Sequence, residues 1–377
     1  MLIDLREIPD GSKLYLRPVG RVSAGHLDNR LPCDFAGTGV CYAGAVVYAR
    51  TLSAGIDGGY FSAKTLHQQM ADCSPEILAA LELQLAGLSR QRAPLQLSSG
   101  KSLAFAKPLV MGVLNVTPDS FSDGGRFLDT DSAIRRARAM AAAGADIIDI
   151  GGESTRPGAT PVWEGEEADR VIPVIEAMAG ESIALSIDSR NSFVMNKALQ
   201  AGADIINDVS ALSHDPDSMA FAAKSGAPVV LMHALGDPET MQDNPAYEHV
   251  LLDVYDYLSA RLDACVEAGI ETNRIILDPG IGFGKRVVQD NVALINGLTL
   301  FQTLGCPILL GASRKRFIGA VTGVAIAEER VIGSIVAAAK GVEHGANILR
   351  VHDVPQTVEA VKMVQAFSDA SVMDGVV

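Results

Sequence analysis

Side chains able to do chemistry recur along the chain beyond residue 105, each close behind a short apolar run. They are Asn115, Glu153, Asp188, Asn207, His233, Asp278, Ser313, Lys315, Arg350 and His352. Three of them, Asp188, Asn207 and Asp278, combine hydrogen-bond acceptors with an amide donor. That combination suits the edge of a flat heterocycle with an amino-pyrimidinone group, so these residues predict a polar aromatic ligand.

Cationic side chains stand in the same segments, against the sign of the whole chain. The chain has 31 lysines and arginines against 45 aspartates and glutamates, a net charge of -14. The cations concerned are Arg156, Lys315 and Arg350, with His352 beside the last. Several cations at one place favour an anionic ligand, most simply a phosphate or diphosphate. The alternative is that they form structural ion pairs with their acidic neighbours, which are Asp149, Glu153 and Asp353.

The apolar runs themselves are short enough to be strands buried on both faces, as parallel strands are. The eight runs are 109–114, 146–150, 183–187, 204–206, 229–232, 275–277, 308–310 and 347–349. Stretches with helical periodicity, such as 132–143, separate them, and this alternation predicts βαβ units. A glycine suited to a left-handed helix end precedes most of the strands. These glycines are Gly144, Gly202, Gly226, Gly269, Gly305 and Gly345.

Eight such units predict an α/β fold, a (β/α)8 TIM barrel over residues 106–377, preceded by a small N-terminal extension over residues 1–105. An open doubly wound sheet is the alternative, and the lack of a dinucleotide-binding fingerprint disfavours it. In a barrel the residues that follow the strands converge on one rim, which is the predicted active site. The glycine-bearing segments 115–125 and 151–159 predict mobile lids. The glycines of 278–285 predict a backbone that approaches the ligand closely, with Lys285 facing the anion.

Composition excludes several classes of protein. Hydrophobic residues make up 48% of the chain and charged residues 20%, which is ordinary for a globular protein. The net charge argues against nucleic-acid binding, and no apolar run is long enough for a membrane span. The first residues lack the apolar region of a secretory signal. Five cysteines without a CxxC pair are typical of reduced thiols, so we expect a soluble, cytoplasmic protein.

Eight segments carry a resemblance to a known family. They are MGVLNVTPDSFSDGG (111–125), GGESTRPGA (151–159), SIDS (186–189), AGADIINDVS (201–210), LMH (231–233), ILDPGIGFGK (276–285), GASRKRFIG (311–319) and RVHDV (350–354). In kind and order they resemble dihydropteroate synthase, the folate-pathway enzyme family. The resemblance covers residues 107–370. Two positions depart from the family pattern: Ser189 stands where threonine is common, and Arg316 stands where a small serine is often found.

The resemblance implies a reaction and a set of roles. The family joins 4-aminobenzoate to 6-hydroxymethyl-7,8-dihydropterin diphosphate and releases diphosphate. The implied pterin-binding residues are Asp188, Asn207, Met232, Asp278, Phe283 and Lys315. The implied diphosphate-binding residues are Thr155, Arg156, Arg350 and His352, and the implied aminobenzoate-binding residues are Phe121, Thr155, Phe283 and Ser313. The implied catalytic residues are Asp188, Lys315, Arg156 and Asn115, and Asn115 is also the implied ligand of a Mg²⁺ cofactor.

The remaining expectations concern partners and the first 105 residues. We expect small-molecule substrates, no nucleic acid, no membrane, and a homodimer. The extension has no counterpart in the resemblance, and a small packing or oligomerisation domain is the simplest interpretation, with a helix over 77–88 and a strand over 46–49. Two other functions remain open: a pterin-dependent methyltransferase on a related barrel, and a non-catalytic pterin-binding paralogue. Turnover of the pterin diphosphate with 4-aminobenzoate distinguishes all three.

Overall fold

The computed structural model describes residues 3–23, 30–31, 40–51, 55–117, 126–153, 162–236 and 240–368. Within these ranges the second part of the chain alternates strand and helix, as the sequence predicts. The strands are β6 (Leu109–Asn115), β7 (Ile147–Gly151), β8 (Ala184–Asp188), β9 (Ile205–Asp208), β10 (Val229–Met232), β11 (Ile275–Asp278), β12 (Leu309–Leu310) and β13 (Ile348–Val351). The helices are α3 (Arg126–Ala142), α4 (Glu164–Met178), α5 (Ser192–Ala201), α6 (Ser218–Ser225), α7 (Val250–Glu267), α8 (Gln289–Asn296), α9 (Arg316–Thr322), α10 (Val331–Glu343) and α11 (Val354–Ser368).

These eight strands form one parallel sheet that closes into a barrel. The strand order is β11-β10-β9-β8-β7-β6-β13-β12, and a parallel bridge between Leu277 and Ile308 joins the two ends. Each predicted strand is confirmed to within a residue or two of its bounds. The six predicted glycines all have positive φ, for example 115° at Gly202, which ends α5. The predicted TIM barrel is therefore confirmed, and the open sheet is not what forms.

A short hairpin covers the amino-terminal end of the barrel. Strands β4 (Leu95–Gln96) and β5 (Ser102–Leu103) pair antiparallel, and Leu95, Leu97 and Phe105 are buried against the barrel floor. The floor takes apolar side chains from every strand: Leu109, Met111, Ile147, Ala184, Ile205, Val230, Ile276, Leu309 and Ile348. The hairpin thus keeps water from one end of the barrel and leaves the other end as the opening.

The chain before the hairpin has its own hydrophobic core. A three-stranded antiparallel sheet, β1 (Lys13–Ser23), β2 (Val40–Thr51) and β3 (Gly55–Ser62), packs with α1 (Ala63–Met70) and α2 (Pro75–Ser89). Both the predicted helix over 77–88 and the predicted strand over 46–49 are confirmed. Side chains Ser62 and Ser74 cap the two helices by accepting hydrogen bonds from backbone amides.

This N-terminal unit lies against the outside of the barrel. Its sheet contacts α7, where the Tyr15 hydroxyl donates to Asp256 at 2.9 Å. Helix α2 lies on the segment 298–304, and a Cβ at Gly87 would stand 1.9 Å from the Thr303 carbonyl oxygen, so only glycine permits this approach. Deeper in the same interface, Arg92 donates to the Gln302 carbonyl at 2.8 Å. None of the helices in the described ranges is long and apolar enough to cross a bilayer.

Candidate active site

The carboxyl ends of the strands bring the predicted side chains together around a cavity of about 370 Å³. Strand β8 ends at Asp188, β11 at Asp278, and Arg350 lies near the end of β13. Seven predicted site residues line the cavity: Asn115, Asp188, Phe283, Ser313, Lys315, Arg350 and His352. Parallel strands place their carboxyl ends on one rim, which is why residues separated by up to 237 positions meet here.

Three other predicted residues are buried just beneath the lining. Asn207, Met232 and Asp278 are each at most 5% exposed and end or nearly end their strands. Predicted residues Phe121, Thr155 and Arg156 lie outside the described residues, so the structure gives no position for them. All ten predicted site residues that the structure describes therefore lie at the cavity or just beneath its lining.

A buried charge cluster forms the floor of the cavity. The guanidinium of Arg350 donates from Nε to Asp149 and from a terminal nitrogen to Asp188, both at 2.6 Å. The Asn207 amide also donates to Asp149, at 3.0 Å. One oxygen of each carboxylate, Oδ1 of Asp149 and Oδ1 of Asp188, is buried with no hydrogen-bond partner in the structure. Buried acceptors without donors are costly, so these two oxygens are available to accept hydrogen bonds from a bound molecule.

Two arginines at the site form ion pairs with acidic side chains, as the alternative interpretation of the cations expects. Arg350 does pair with Asp149, and Arg314 pairs with Asp353 through two hydrogen bonds, of 3.1 and 2.6 Å. Arg314 is thereby a structural cation. Arg350 lines the cavity while pairing with two carboxylates, so it orients the acids as well as contributing charge, and a diphosphate-binding role for it stays a prediction.

Burial controls the protonation of the acids. It raises the pKa of Asp188, although the neighbouring Arg350 opposes this. It likewise raises the pKa of Asp278, although hydrogen bonding from the Gly280 amide and the charges of Lys315 and Arg350 oppose the change. Two carboxyl groups with raised pKa at the base of one cavity are typical of a functional site.

The Lys315 side chain lies along the cavity wall, where Phe283 and Gly282 fix its position. Its ammonium lies 3.9 Å from the centre of the Phe283 ring, a cation–π contact. Its aliphatic part lies against Gly282, where a Cβ would be 3.1 Å from Lys315 Cδ. Lys315 immediately precedes α9, and Ser313 holds the neighbouring His352, whose Nδ1 is 3.1 Å from the Ser313 hydroxyl.

Side chains hold several backbone groups of the glycine-rich segment 280–285. The Gly282 amide donates to Asn291 at 2.6 Å, and its carbonyl accepts from Gln242 at 2.8 Å. The Gly284 carbonyl accepts from the Tyr247 hydroxyl at 2.5 Å. This segment is therefore a preformed wall that fixes the Phe283 ring.

Lys285 belongs to this support. Its ammonium is 2.8 Å from both the Phe283 carbonyl and His233 Nδ1, and the residue is 1% exposed. Burial lowers the pKa of Lys285 to about 7 and that of His233 to about 2. The sequence suggested that Lys285 faces the anion. In the structure its ammonium fastens the loop while the residue also lines the cavity, so a role toward the anion stays a prediction.

Glu153 links the two residues that flank the segment 154–161. Glu153 accepts from the Val162 amide at 3.2 Å and from Arg190 at 3.0 Å, so one carboxylate joins the residue before the segment to the residue after it. Trp163 follows directly, ahead of α4, with its side chain 74% exposed.

Sequence reasoning missed several of these supporting residues. The sequence offered Asp149 only as a structural ion-pair partner for the site cations, although an acid inside an apolar strand is itself a signal of a buried polar site. Gln242, Tyr247 and Arg190 carried no signal, because each acts on a backbone or side chain that is distant in sequence. No group of three or more potential metal-binding His, Cys, Asp or Glu side chains occurs within the described ranges.

Fold and site together define a (β/α)8 enzyme with a buried polar pocket for a flat, hydrogen-bonding heterocycle. Residues 111–352 match the family model described as pterin binding enzyme. The chain is similar to dihydropteroate synthase from Haemophilus influenzae, with 46% identity over 274 residues, 72% of this chain and 98% of the relative. It is similar to the Bacillus subtilis enzyme of the same name, with 48% identity over 69% of this chain and 88% of the relative.

Solved structures agree with these relatives. A Yersinia pestis dihydropteroate synthase in complex with a sulfonamide drug aligns with a TM-score of 0.69 at 45% identity, covering 73% of this chain and 98% of the other. A Burkholderia cenocepacia dihydropteroate synthase complexed with 7,8-dihydropteroate aligns with a TM-score of 0.67 at 45% identity, covering 74% and 98%. The chain belongs to the dihydropteroate synthase family of pterin-binding enzymes.

Proposed function

We propose that this chain condenses 6-hydroxymethyl-7,8-dihydropterin diphosphate with 4-aminobenzoate, giving 7,8-dihydropteroate and diphosphate. The observation that carries the proposal is the pair of buried, unpartnered acceptor oxygens on Asp149 and Asp188. The amino and ring N–H groups of a pterin are donors that would satisfy them. Solved relatives with 4-aminobenzoic acid and with the product support the same reaction.

The described residues divide the work between binding and charge stabilisation. Asp188, Asn207 and Asp278, with Met232 beside them, hold the pterin at the floor, and Lys315 and Phe283 fix its position from the wall. When the bond to diphosphate breaks, positive charge spreads over the pterin and its methylene carbon. The Asp188 carboxylate, held by Arg350 at 2.6 Å, stabilises that charge without having to move. The aniline nitrogen then attacks the methylene carbon and loses its proton.

The other substrate groups occupy the outer part of the cavity. Thr155, Arg156, Arg350 and His352 bind the diphosphate, and Phe121, Thr155, Phe283 and Ser313 frame the aminobenzoate. Arg316, which is exposed at the start of α9 and lines the cavity, is placed to meet the aminobenzoate carboxylate. The segments that carry Phe121 and Thr155 exclude water, since water would otherwise trap the cation.

One side chain at the cavity, Asn115, has a donor atom that suits a magnesium ion. Asn115 offers one hard amide oxygen at the rim of the cavity, and Mg²⁺ commonly takes one or two protein ligands plus waters and substrate phosphates. Asn115 would hold such an ion together with the substrate diphosphate. The ion would supply positive charge for the leaving diphosphate.

Two alternatives are disfavoured. A pterin-dependent methyltransferase and a non-catalytic paralogue would both bind pterin, but the named relatives are dihydropteroate synthases at 45–48% identity. An assay of 7,8-dihydropteroate formation from the two substrates tests the proposal. Absence of product with purified, pterin-binding protein would overturn it.

Sulfonamides provide a second test of the aminobenzoate site. A sulfonamide carries the same aniline with a polar group in place of the carboxylate, so we expect sulfamethoxazole to compete with 4-aminobenzoate in steady-state kinetics. A purely non-competitive pattern would contradict the assignment of Phe283 and Ser313. The charge of Arg316 favours a carboxylate, so we expect weaker binding of the sulfonamide than of the natural substrate.

The chain also forms a homodimer in this proposal, through the exposed face of α10. Ile332 and Val336 are 79% and 64% exposed one turn apart, and α10 carries no charge before Lys340. A second copy can meet this face without repulsion despite the net charge. Replacing both residues with aspartate should halve the mass measured by light scattering. Leu83→Asp, at a residue 72% exposed on α2, is the matched control and should leave the mass unchanged.

We place the enzyme in the cytoplasm, which is supported by the free thiols of Cys41, Cys73, Cys265 and Cys306.

The prediction put the domain boundary at residue 105, but hairpin β4–β5 packs into the barrel floor. We therefore propose a boundary before Leu95, which limited proteolysis would locate.

A further inference from the structure

Residues 240–249, here called the strap, connect the loop after β10 to the start of α7 and run between the N-terminal sheet and the glycine-rich wall of the cavity. The strap is held in an unusual conformation, because Asn244 has a φ of 111°, which L residues rarely adopt. Its contacts with both neighbours suggest a role for the N-terminal unit.

One side of the strap supports the cavity wall. Gln242 donates to the Gly282 carbonyl at 2.8 Å, and the Tyr247 hydroxyl donates to the Gly284 carbonyl at 2.5 Å. These two carbonyls flank Phe283, whose ring lies under the Lys315 ammonium. A displacement of the strap would therefore move the surface on which Lys315 rests.

The other side of the strap is held by the N-terminal sheet. The rings of Tyr48 and His249 lie 5.5 Å apart, and Arg50 Nε is 3.5 Å from a Glu248 carboxylate oxygen. The same guanidinium pairs with Asp253 and, at 2.8 Å, with Asp256. Tyr247, which contacts the wall, comes directly before Glu248 and His249, the two residues that contact the sheet.

Charge explains why Arg50 matters here. Residues 240–256 contain four acids, Asp243, Glu248, Asp253 and Asp256, and no lysine or arginine. Arg50 contacts three of them while its side chain is only 21% exposed. Lys13 also approaches Asp256, at 3.4 Å, but among these acids Glu248 and Asp253 are balanced by Arg50. Without Arg50 the acids of the strap and of the first two turns of α7 would repel one another more strongly.

We propose that the N-terminal unit is a positioning element for pterin binding, which acts through Arg50 and Tyr48 on the strap and through Tyr247 on the wall that carries Phe283 and Lys315. The inference rests on the proposed function. It assigns to Arg50 and Tyr48 a positioning role, since neither touches the cavity.

The test compares kinetic constants of purified, folded variants. Arg50→Met should raise the KM for pterin diphosphate by about five- to tenfold, the scale expected for coupling through packed groups, with a smaller change in kcat. Arg50→Lys keeps the cation and should recover part of the loss. Tyr15→Phe is the matched control. It removes the hydrogen bond to Asp256 at the same interface but leaves Glu248 and His249 untouched, so its KM should equal that of the wild type.

A double-mutant cycle with Tyr247→Phe tests the route. If the effect passes through Tyr247, the combined variant should show a smaller KM increase than the product of the single effects. Should Arg50→Met fail to fold, Tyr48→Leu tests the same contact with His249. Wild-type KM in a folded Arg50 or Tyr48 variant, or multiplicative effects in the cycle, would overturn the inference. Inactive wild-type protein would instead overturn the proposed function.

Discussion

At the scale of single residues, the site depends on one arginine and two acids. Arg350 joins Asp149 to Asp188 inside the barrel, and each acid keeps one acceptor oxygen for a ligand. The sequence predicted Asp188 and Arg350 because both stand where a strand ends. It did not predict their contact with each other, because nothing in the spacing of residues 188 and 350 says how far a barrel brings them together.

Replacement of two residues tests the floor and the wall separately. Asp188→Asn and Lys315→Ala should each lower kcat/KM by about 10²–10³-fold, the usual cost of losing one preorganised electrostatic group. Circular dichroism should show an unchanged fold. Near-normal kinetics in either folded variant would remove that residue from the mechanism.

The protonation of Asp188 predicts how stability depends on pH. Burial raises the pKa of Asp188 to about 7 from the ordinary value of 3.8, against the opposing effect of Arg350. Between these values the folded protein binds more protons than the unfolded chain, so this group lowers the unfolding free energy as pH rises. Asp188→Asn should therefore gain Tm relative to the wild type between pH 5 and pH 8, on the order of a few degrees.

The measurement is a pair of thermal unfolding curves at each pH without ligand. Asp146→Asn, at an acid near the barrel floor, controls for general charge effects. A difference in Tm between Asp188→Asn and wild type that does not change with pH would contradict the prediction.

At the scale of elements, the barrel strands were predictable and the supports of the loops were not. Short buried runs predicted all eight strands, and glycines before six of them strengthened the prediction. The rigidity of 280–285 could not be predicted, because it comes from Gln242, Tyr247 and Asn291, which approach the loop only after the chain has folded. A glycine-rich sequence suggests mobility, yet here its backbone groups are held by side chains on three sides.

Alanine at three glycines separates backbone strain from steric conflict. All three have positive φ: 70° at Gly280, 82° at Gly282 and 78° at Gly323. At Gly323 a Cβ meets nothing within 4 Å, so Gly323→Ala should cost only the strain, about 1–2 kcal/mol. At Gly280 a Cβ would stand 1.8 Å from the His233 carbonyl oxygen, so Gly280→Ala should lower Tm far more.

Gly282→Ala should differ from both in its effect on activity. Its Cβ would press on Lys315 Cδ at 3.1 Å, a flexible neighbour, so the Tm loss should resemble that of Gly323→Ala. The KM for pterin diphosphate should nevertheless rise, by about tenfold, because Lys315 is displaced. Equal KM values for Gly282→Ala and Gly323→Ala would show that pterin binding does not depend on the contact between Lys315 and Gly282.

At the scale of the whole molecule, the chain is a barrel with a second, smaller unit fastened to its side. The resemblance covered the barrel and gave its roles residue by residue. It gave nothing for the first part of the chain, whose core of apolar residues such as Leu16, Leu66 and Leu81 is ordinary in composition. The contacts of that unit with α7 and with 298–304 depend on tertiary structure alone, so no local sequence pattern predicts them.

Order of binding is a property of the assembled site. The residues expected to hold pterin line the described cavity or lie just beneath its lining, whereas Phe121 and Thr155 belong to the two segments that the sequence predicts to be lids. Free enzyme should therefore bind 4-aminobenzoate poorly, and pterin diphosphate or inorganic diphosphate with Mg²⁺ should strengthen that binding. Calorimetry with and without these ligands measures the difference. Equal affinity in both conditions would mean that the aminobenzoate site is preformed.

The chain contains a single tryptophan, Trp163. Its side chain is exposed, directly after Val162, whose amide donates to Glu153. The indole is therefore a native fluorophore two residues after the end of the segment that carries Thr155 and Arg156. Emission excited in the indole band reports from this one place without a label. We therefore expect the binding of each substrate to change this emission, and stopped-flow fluorescence on the unmodified protein would measure the change.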